Sequence, residues 1–418
     1  MNRRSHASVV DHDRVGGEDS EQWQIATLGR YIKVKHGYAF EGNQITSEET
    51  PNILVTPGNF YLGGGFKATK FKYFSGYYPS AYKLSGGDIV VTMTDLSKDG
   101  DTLGYGARIP STLGKSYLHN QRIGLVEFLN GEVDENFLYW VLRTREYQGF
   151  VLGAATGTSV RHTSPTTIQQ YEFSLPSSRK EQAAIAALLD RIDDKIDLLK
   201  RQNKTLESMA EALFRHWFVE EAQDDWKKGV LGDIAANVRC SIKASDISPE
   251  AKYVGLEHID RRSVALNKHG YGENVGSNKS IFVVNDILFG KLRPYFHKVC
   301  FAPFSGVCST DILVVAPKRQ EYFAFCLFAF FQDDVVEYVN LGSGGTRMPR
   351  TDWSTLKDYP IVIPDLNFLE RFNAVVVPAL ERITCNLGQI RTLERLRDTL
   401  LPKLMSGEVR VRIESSAG

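Results

Sequence analysis

Apolar side chains recur in alternating steps of three and four at Leu189, Ile192, Ile196, Leu199, Leu206, Ala210, Leu213 and Trp217, with Asn203 in the one remaining place. Such steps line one face of a helix, so the pattern predicts a heptad seam on a long helix over 178–220. Ser178 followed by Glu181 has the spacing of a capping box, in which hydroxyl and carboxylate satisfy the first free amides. From Leu189 to Trp217 the seam covers about 42 Å at the α-helical rise. A helix of that length with one apolar stripe needs a partner.

The partner is predicted over 366–406. A shift of 187 positions carries Thr205-Leu206-Glu207 onto Thr392-Leu393-Glu394 and places a second seam at Val376, Ala379, Ile383, Asn386, Ile390, Leu393, Arg397, Leu400 and Leu404. Asn367 and Glu370 repeat the cap, while Pro378, lacking an amide donor, should break or kink this helix about one turn before Ile383. Reversing one seam against the other about its midpoint sets Asn203 opposite Ile390 and Asn386 opposite Leu206. The simpler reading is two amphipathic helices on separate cores.

The repetition continues outside the helices, which favours a duplication. Thr27-Leu28-Gly29 is answered by Val230-Leu231-Gly232, and Gly87-Asp88-Ile89-Val90 by Asn285-Asp286-Ile287-Leu288. At a constant shift of 188, Gly157-Thr158, Ile168, Tyr171 and Pro176 map onto Gly345-Thr346, Leu356, Tyr359 and Pro364. Each copy reads as short strands with turns at Asp88 and Asp286. In the first copy Asp134 to Tyr147 reads as one amphipathic helix, Gly153 to Thr167 as a polar loop, and Tyr171 to Pro176 as a strand entering the long helix. The predicted class is α+β: globular domains at 21–177 and 226–365, separated by a pair of long antiparallel coiled-coil helices with pseudo-twofold symmetry.

Composition narrows the classes. At 418 residues the chain exceeds one ordinary core. Fifty basic residues balance fifty acidic ones, so any nucleic-acid surface must be local. Five cysteines without a CxxC pair point to a reducing, cytoplasmic setting rather than a disulfide framework or a metal site. The longest apolar run, Tyr322 to Phe331, is about half a bilayer span, so no membrane partner is expected. Residues 1–20 read as a disordered tail or leftover leader.

No catalytic constellation emerges. An Asn-Pro-Pro-aromatic tetrapeptide, a G-x-G-x-x-G loop, HExxH and G-x-S-x-G are all missing. Gly114-Lys115-Ser116 ends like a phosphate loop, but Ile109 stands where its first glycine belongs. Cationic clusters suit nucleic acid better. Lys67, Lys70 and Lys72 interleave with Phe66, Phe71, Tyr73 and Phe74; Lys291, Arg293, His297 and Lys298 form a second cluster; Arg161, Arg347 and Arg350 lie in or beside the matched Gly-Thr loops. Lysines and arginines neutralise phosphates, and arginine forks read groove edges. The structural alternatives are edge strands with snorkelling lysines, and loops pinning their own strands.

The order of domain, long helix, domain, long helix, with the stretches EQAAIAALLDRIDDKIDLLKRQNKTLE and TLERLRDTLLPKLMSGE, resembles the specificity subunit of Type I restriction-modification systems over nearly the whole chain. The resemblance implies two target-recognition domains, each reading half of a split double-stranded DNA target. It also implies helices that set the spacer and dock two methyltransferase subunits, with cleavage on separate motor and endonuclease subunits. This chain would then be non-catalytic and hold no cofactor, S-adenosylmethionine and ATP belonging to its partners. Two other classes compete: a self-contained DNA methyltransferase or nuclease, and a coiled-coil scaffold that binds only proteins.

Overall fold

The computed structural model describes residues 23–411 apart from 96, 98–99, 113, 158–159 and 343–348. The expected tail, Thr158, Gly345, Thr346 and Arg347 lie outside the described residues. The chain forms two units, one running through Asp193 and resuming at Arg395, the other Asp194–Glu394. Each unit holds one globular domain and a stretch of both long helices, Arg179–Arg215 and Leu366–Met405. The class is α+β.

In the first unit, strand Trp23–Thr27 pairs antiparallel with Glu172–Pro176, so the domain is entered and left through one two-stranded sheet. A four-stranded sheet is built on Ile89–Thr92 and Ile123–Phe128, and a five-stranded sheet on the parallel pair Asn52–Val55 and Ser116–His119. The second unit repeats all three: Lys227–Val230 with Pro360–Ile363, a four-stranded sheet on Ile287–Gly290 and Ile312–Pro317, and a five-stranded one on the parallel pair Lys252–Val254 and Gly306–Cys308. The copies differ at one edge. Ile45–Thr46 pairs with Lys72–Phe74, whereas its counterpart Ser241–Ile242 pairs with Lys279–Phe282 at the opposite edge of its sheet.

Recurring sequence landmarks mark recurring backbone contacts. Leu28 and Leu231 are fully buried, and their amides donate to the Tyr171 and Tyr359 carbonyls at 2.9 and 3.0 Å. A side chain at Gly29 or Gly232 would meet the backbone of Gln169 or Lys357 at 3.0 or 3.2 Å, so the close approach calls for glycine. Asp88 and Asp286 close equivalent turns, accepting from the amides of Ser85 and Val283 at 2.8 and 2.7 Å.

Two expectations in the first domain are corrected. The single helix over Asp134 to Tyr147 is two, Glu135–Val141 and Arg145–Gly153, because Thr144 caps the second by accepting from the Tyr147 amide. The polar loop over Gly153 to Thr167 contains strand Arg161–His162 and, capped by Ser164, the short helix Pro165–Gln169. In the second domain the apolar run is helix Phe323–Phe330, buried at all eight positions. No helix among the described residues is long and apolar enough to cross a membrane.

Within each unit the long-helix stretches pair antiparallel. In the first, Arg397 reaches Asp193 at 2.7 Å and Arg410 approaches Glu181 at 3.6 Å, while Ile185, Leu189, Leu401 and Leu404 share its core. In the second, Lys200 bonds Glu394, Asn203 bonds Asn386 and Phe214 meets Phe372 edge to face. The amides therefore face each other, about one helical turn from the expected pairings with Ile390 and Leu206. Burying an amide against leucine or isoleucine strands its polar atoms, and this register satisfies one with the other.

The seam shifts near the end of the first helix. Glu207, Phe214 and Phe218 are buried, while Leu206, Leu213 and Trp217 pack at the margin of the core. A straight helix drifts from a strict heptad by about 20° per repeat, and here the face must serve the domain as well as the partner helix. The α-helix stops at Arg215 and a π turn, His216–Glu220, follows. The second helix begins at Leu366, which puts Asn367 inside it rather than at its cap, and it runs unbroken through Pro378. Val376, Ala379, Leu380 and Ile383 are buried on either side of the proline, and that packing carries the helix past the missing hydrogen bond.

Candidate nucleic-acid interface

In the first domain Lys67, Lys70 and Lys72 lie along the segment from the turn Pro57–Asn59 to strand Lys72–Phe74. Its aromatic residues face inward: Phe66, Phe71 and Tyr73 pack on one core and Phe74 is buried in another. Lys70 and Lys72 are left exposed, Lys70 in a left-handed conformation, and the Lys67 ammonium lies 6.0 Å from the Tyr61 ring. Asn59, fully buried, holds this segment in place. Its oxygen accepts from the Thr56 amide, and its Nδ2 donates to the carbonyls of Lys67 and Thr69. Arg161 belongs to a different strand pair, opposite Asp95, and its Nε is buried with no hydrogen-bond partner among the described residues.

In the second domain Lys291, Arg293 and Arg350 come together. Leu292 bridges Arg350, the Arg293 amide donates to the Pro349 carbonyl at 2.8 Å, and the Thr351 amide donates to the Lys291 carbonyl at 3.0 Å. Burial, and next the Arg350 charge, pull the Lys291 ammonium below the usual lysine range, and Arg350 is ion-paired to Asp311. Between Lys291 and Lys298 the chain turns over the 3-10 segment Pro294–Phe296, flanked by Arg293 and His297 at φ 51° and 49°. Left-handed backbone costs a residue with a side chain roughly 1–2 kcal/mol, so packing must hold both. The turn presents Tyr295, 49% exposed, while the guanidinium groups of Arg261 and Arg293 lie 3.6 and 5.9 Å from the Phe296 ring. Stacking holds an arginine plane ready for a planar acceptor.

Two sequence candidates turn inward. His297 is 3% exposed, its Nδ1 is 3.1 Å from Asp333, and burial, with Arg262 beside it, lowers the pKa of its imidazole. Lys298 donates its ammonium to the Leu256 carbonyl. Proximity in sequence groups both with Lys291 and Arg293, but it carries no information on the direction of a side chain after a left-handed residue. Arg261 and Asn59 were missed. The Thr56-Pro57-Gly58-Asn59 turn signal was readable; the stacking of Arg261 on a residue 35 positions away was not.

Buried polar contacts fasten the first domain to its stretch of long helix. Arg143, 3% exposed, reaches Asp193 at 2.5 Å, the Tyr139 hydroxyl at 3.1 Å and the Gly63 carbonyl at 3.0 Å. Asp190 accepts from Arg108 and the Trp140 indole, both at 2.8 Å. Among the described residues no group of three or more His, Cys, Asp or Glu is arranged to hold a metal ion.

Residues 20–208 match the family model described as Type I restriction modification DNA specificity domain. The type I restriction enzyme MjaIX specificity subunit of Methanocaldococcus jannaschii is 26% identical, over 68% of this chain and 70% of its own. The HindI specificity subunit of Haemophilus influenzae is 22% identical over 70% and 82%. In fold the chain is similar to the type I restriction-modification S subunit from M. genitalium, with a TM-score of 0.59 at 18% identity, covering 94% of this chain and 98% of that one.

Proposed function

We propose that the chain, whose residues 20–208 match the Type I restriction modification DNA specificity domain and which is similar to curated specificity subunits over about two thirds of its length, is the sequence-reading subunit of such a complex, each globular domain reading one half of a split target. The observation that carries this is the duplicated fold, with Lys70 and Lys72 exposed on one copy and half-buried Lys291 and Arg293 gathered beside exposed Arg350 on the other. The target-recognition domains are 21–177 and 226–365, and the helices over 178–220 and 366–406 set the unread gap and dock two methyltransferase subunits. S-adenosylmethionine, ATP and any cleavage belong to partner methyltransferase, motor and endonuclease subunits, and the complex works in the cytoplasm. This chain contributes no catalytic group.

Within the surfaces, Lys67, Lys70, Lys72 and Lys291 suit phosphates, while Arg293 and Arg350 have the forked donors that suit base edges. Arg161 and Arg347 remain candidates on their sequence positions. His297 and Lys298 support the turn from inside. The test is to express the chain with its methyltransferase partners, sequence the methylated positions of the host genome, and repeat with Trp226 to Pro364 exchanged for the domain of another family member. A two-part target in which one half alone changes is expected. Both halves changing, or methylation or cleavage by the isolated chain, would overturn the reading. A complex without salt-dependent DNA affinity would instead favour the protein-only scaffold.

A further inference from the structure

Glu207 lies one position off the predicted seam of the first long helix, yet it is only 9% exposed. Its Oε1 accepts from the Val264 amide at 3.3 Å and the Ser263 hydroxyl at 3.2 Å, and its Oε2 is 3.8 Å from the Lys204 ammonium. Burial pushes the carboxyl above the usual carboxylate range, against the opposing charge of Lys204. Placing a carboxylate there is costly unless its hydrogen bonds are worth keeping.

The loop it grips carries Arg261 and Arg262. The Arg262 amide donates to the His297 carbonyl at 3.0 Å, and its side chain meets Asp333 at 2.5 Å. Arg261 stacks on Phe296. A short run of contacts thus links a helix carboxylate to the exposed turn: Glu207, Ser263 and Val264, Arg262, His297, Phe296. Arg391 of the second long helix adds a bond to Asn267 at 3.2 Å. In the first domain the corresponding loop is tied to the same helix by different chemistry, Asp193 holding Arg143, whose Nε donates to the Gly63 carbonyl.

Resting on the function proposed above, we propose that Glu207 is a positioning residue for sequence discrimination, holding the 261–264 loop so that Arg261 and Phe296 present one fixed face to the half-site read by the second domain. Asp193 serves the first domain in the same way through Arg143. The helix therefore fixes the orientation of the reading loop, and a loosened loop would still meet phosphates while choosing poorly among bases.

The experiment uses the chain assembled with its methyltransferase partners, as wild type, Glu207→Ala, Glu207→Gln and Ser263→Ala. Binding of the target duplex is measured in competition with duplexes altered at single positions of each half. Glu207→Gln keeps an acceptor for Val264 and Ser263 and is expected to discriminate like wild type. Glu207→Ala is expected to lose about tenfold in discrimination at the second half alone, the scale of one hydrogen bond. Ser263→Ala should move the same way by less. Equal loss at both halves, unchanged discrimination with a lowered melting temperature, or a glutamine variant behaving like alanine overturns the proposal. Should Glu207→Ala fail to assemble, the Ser263→Ala and Glu207→Gln pair decides it. A wild-type complex with no sequence preference would instead overturn the DNA-reading function, and it is seen before any variant is measured.

Discussion

Asn386 donates its side-chain amide to the Asn203 oxygen at 2.8 Å across the buried seam of the second unit. Asn386 is fully buried, and its own oxygen has no hydrogen-bond partner among the described residues. Changing either residue alone to leucine strands the other amide and should cost about 1–3 kcal/mol. Changing both should raise the melting temperature above wild type while weakening the preference for this register, since leucine pairs tolerate a slip of one turn. Thermal melts of the two single variants and the double variant form the test. A double variant less stable than wild type would show that the amides are held for stability.

Arg143 should behave as a buried, multiply bonded charge. Its alanine variant removes one partner of Asp193, which keeps Arg397, and the donor to Gly63. The expected cost is about 3 kcal/mol in urea unfolding, the lower end for breaking a buried pair. Lysine keeps the charge but cannot fork between Asp193, Tyr139 and Gly63, so Arg143→Lys should fall between alanine and wild type. Equal stability of all three would mean that the network contributes nothing.

Acid should weaken the second domain through His297. Its folded pKa is lowered by burial and next by Arg262, against the pull of Asp333. The unfolded chain therefore takes up a proton near the ordinary value of 6.5 while the folded one resists. The stabilising contribution is complete above that value and is lost as pH falls through it toward the folded pKa. Stability measured by urea between pH 7.5 and about 5.5 should decline, and His297→Gln should flatten the decline. An unchanged slope in that variant would assign the acid sensitivity elsewhere, with buried His119, whose pKa is also lowered by burial, as the next group to change.

What the sequence could show depended on whether a contact repeats locally. Leu28 with Tyr171 and Leu231 with Tyr359 were legible as spaced landmarks because the same backbone bond is made twice. The seam was legible because burial imposes its period, but period alone does not give stagger, and the amides stood one turn from their expected places. The missing amide of Pro378 predicts a break, whereas the buried face on both sides keeps the helix continuous. Glu207 was invisible, since one position off a seam reads as solvent until the loop covering it is known. Arg143 is hidden in the same way, at the break between two helices whose pattern reads as one.

The last prediction concerns the gap between half-sites. The first long helix follows directly on the strand leaving one domain, and the second follows the strand leaving the other. Each adds a fixed rise for every residue inserted. One heptad placed after Asn203 and a matching heptad before Asn386 lengthen both helices on the same side of the amide pair and keep the seam in phase. The insertion adds about 10.5 Å, the rise of about three base pairs. The reading surfaces keep their nearer supports, since Glu207 moves with Ser263 and Val264 and Lys67, Lys70 and Lys72 are untouched; the bond from Arg391 to Asn267 is displaced. The lengthened chain, assembled with its methyltransferase partners, should therefore methylate the same two half-sites across a gap wider by about three base pairs. Methylated-position sequencing reads both quantities at once. A gap that stays the same would show that the helices do not set it, and a changed half-site would show that helix length reaches the reading loops.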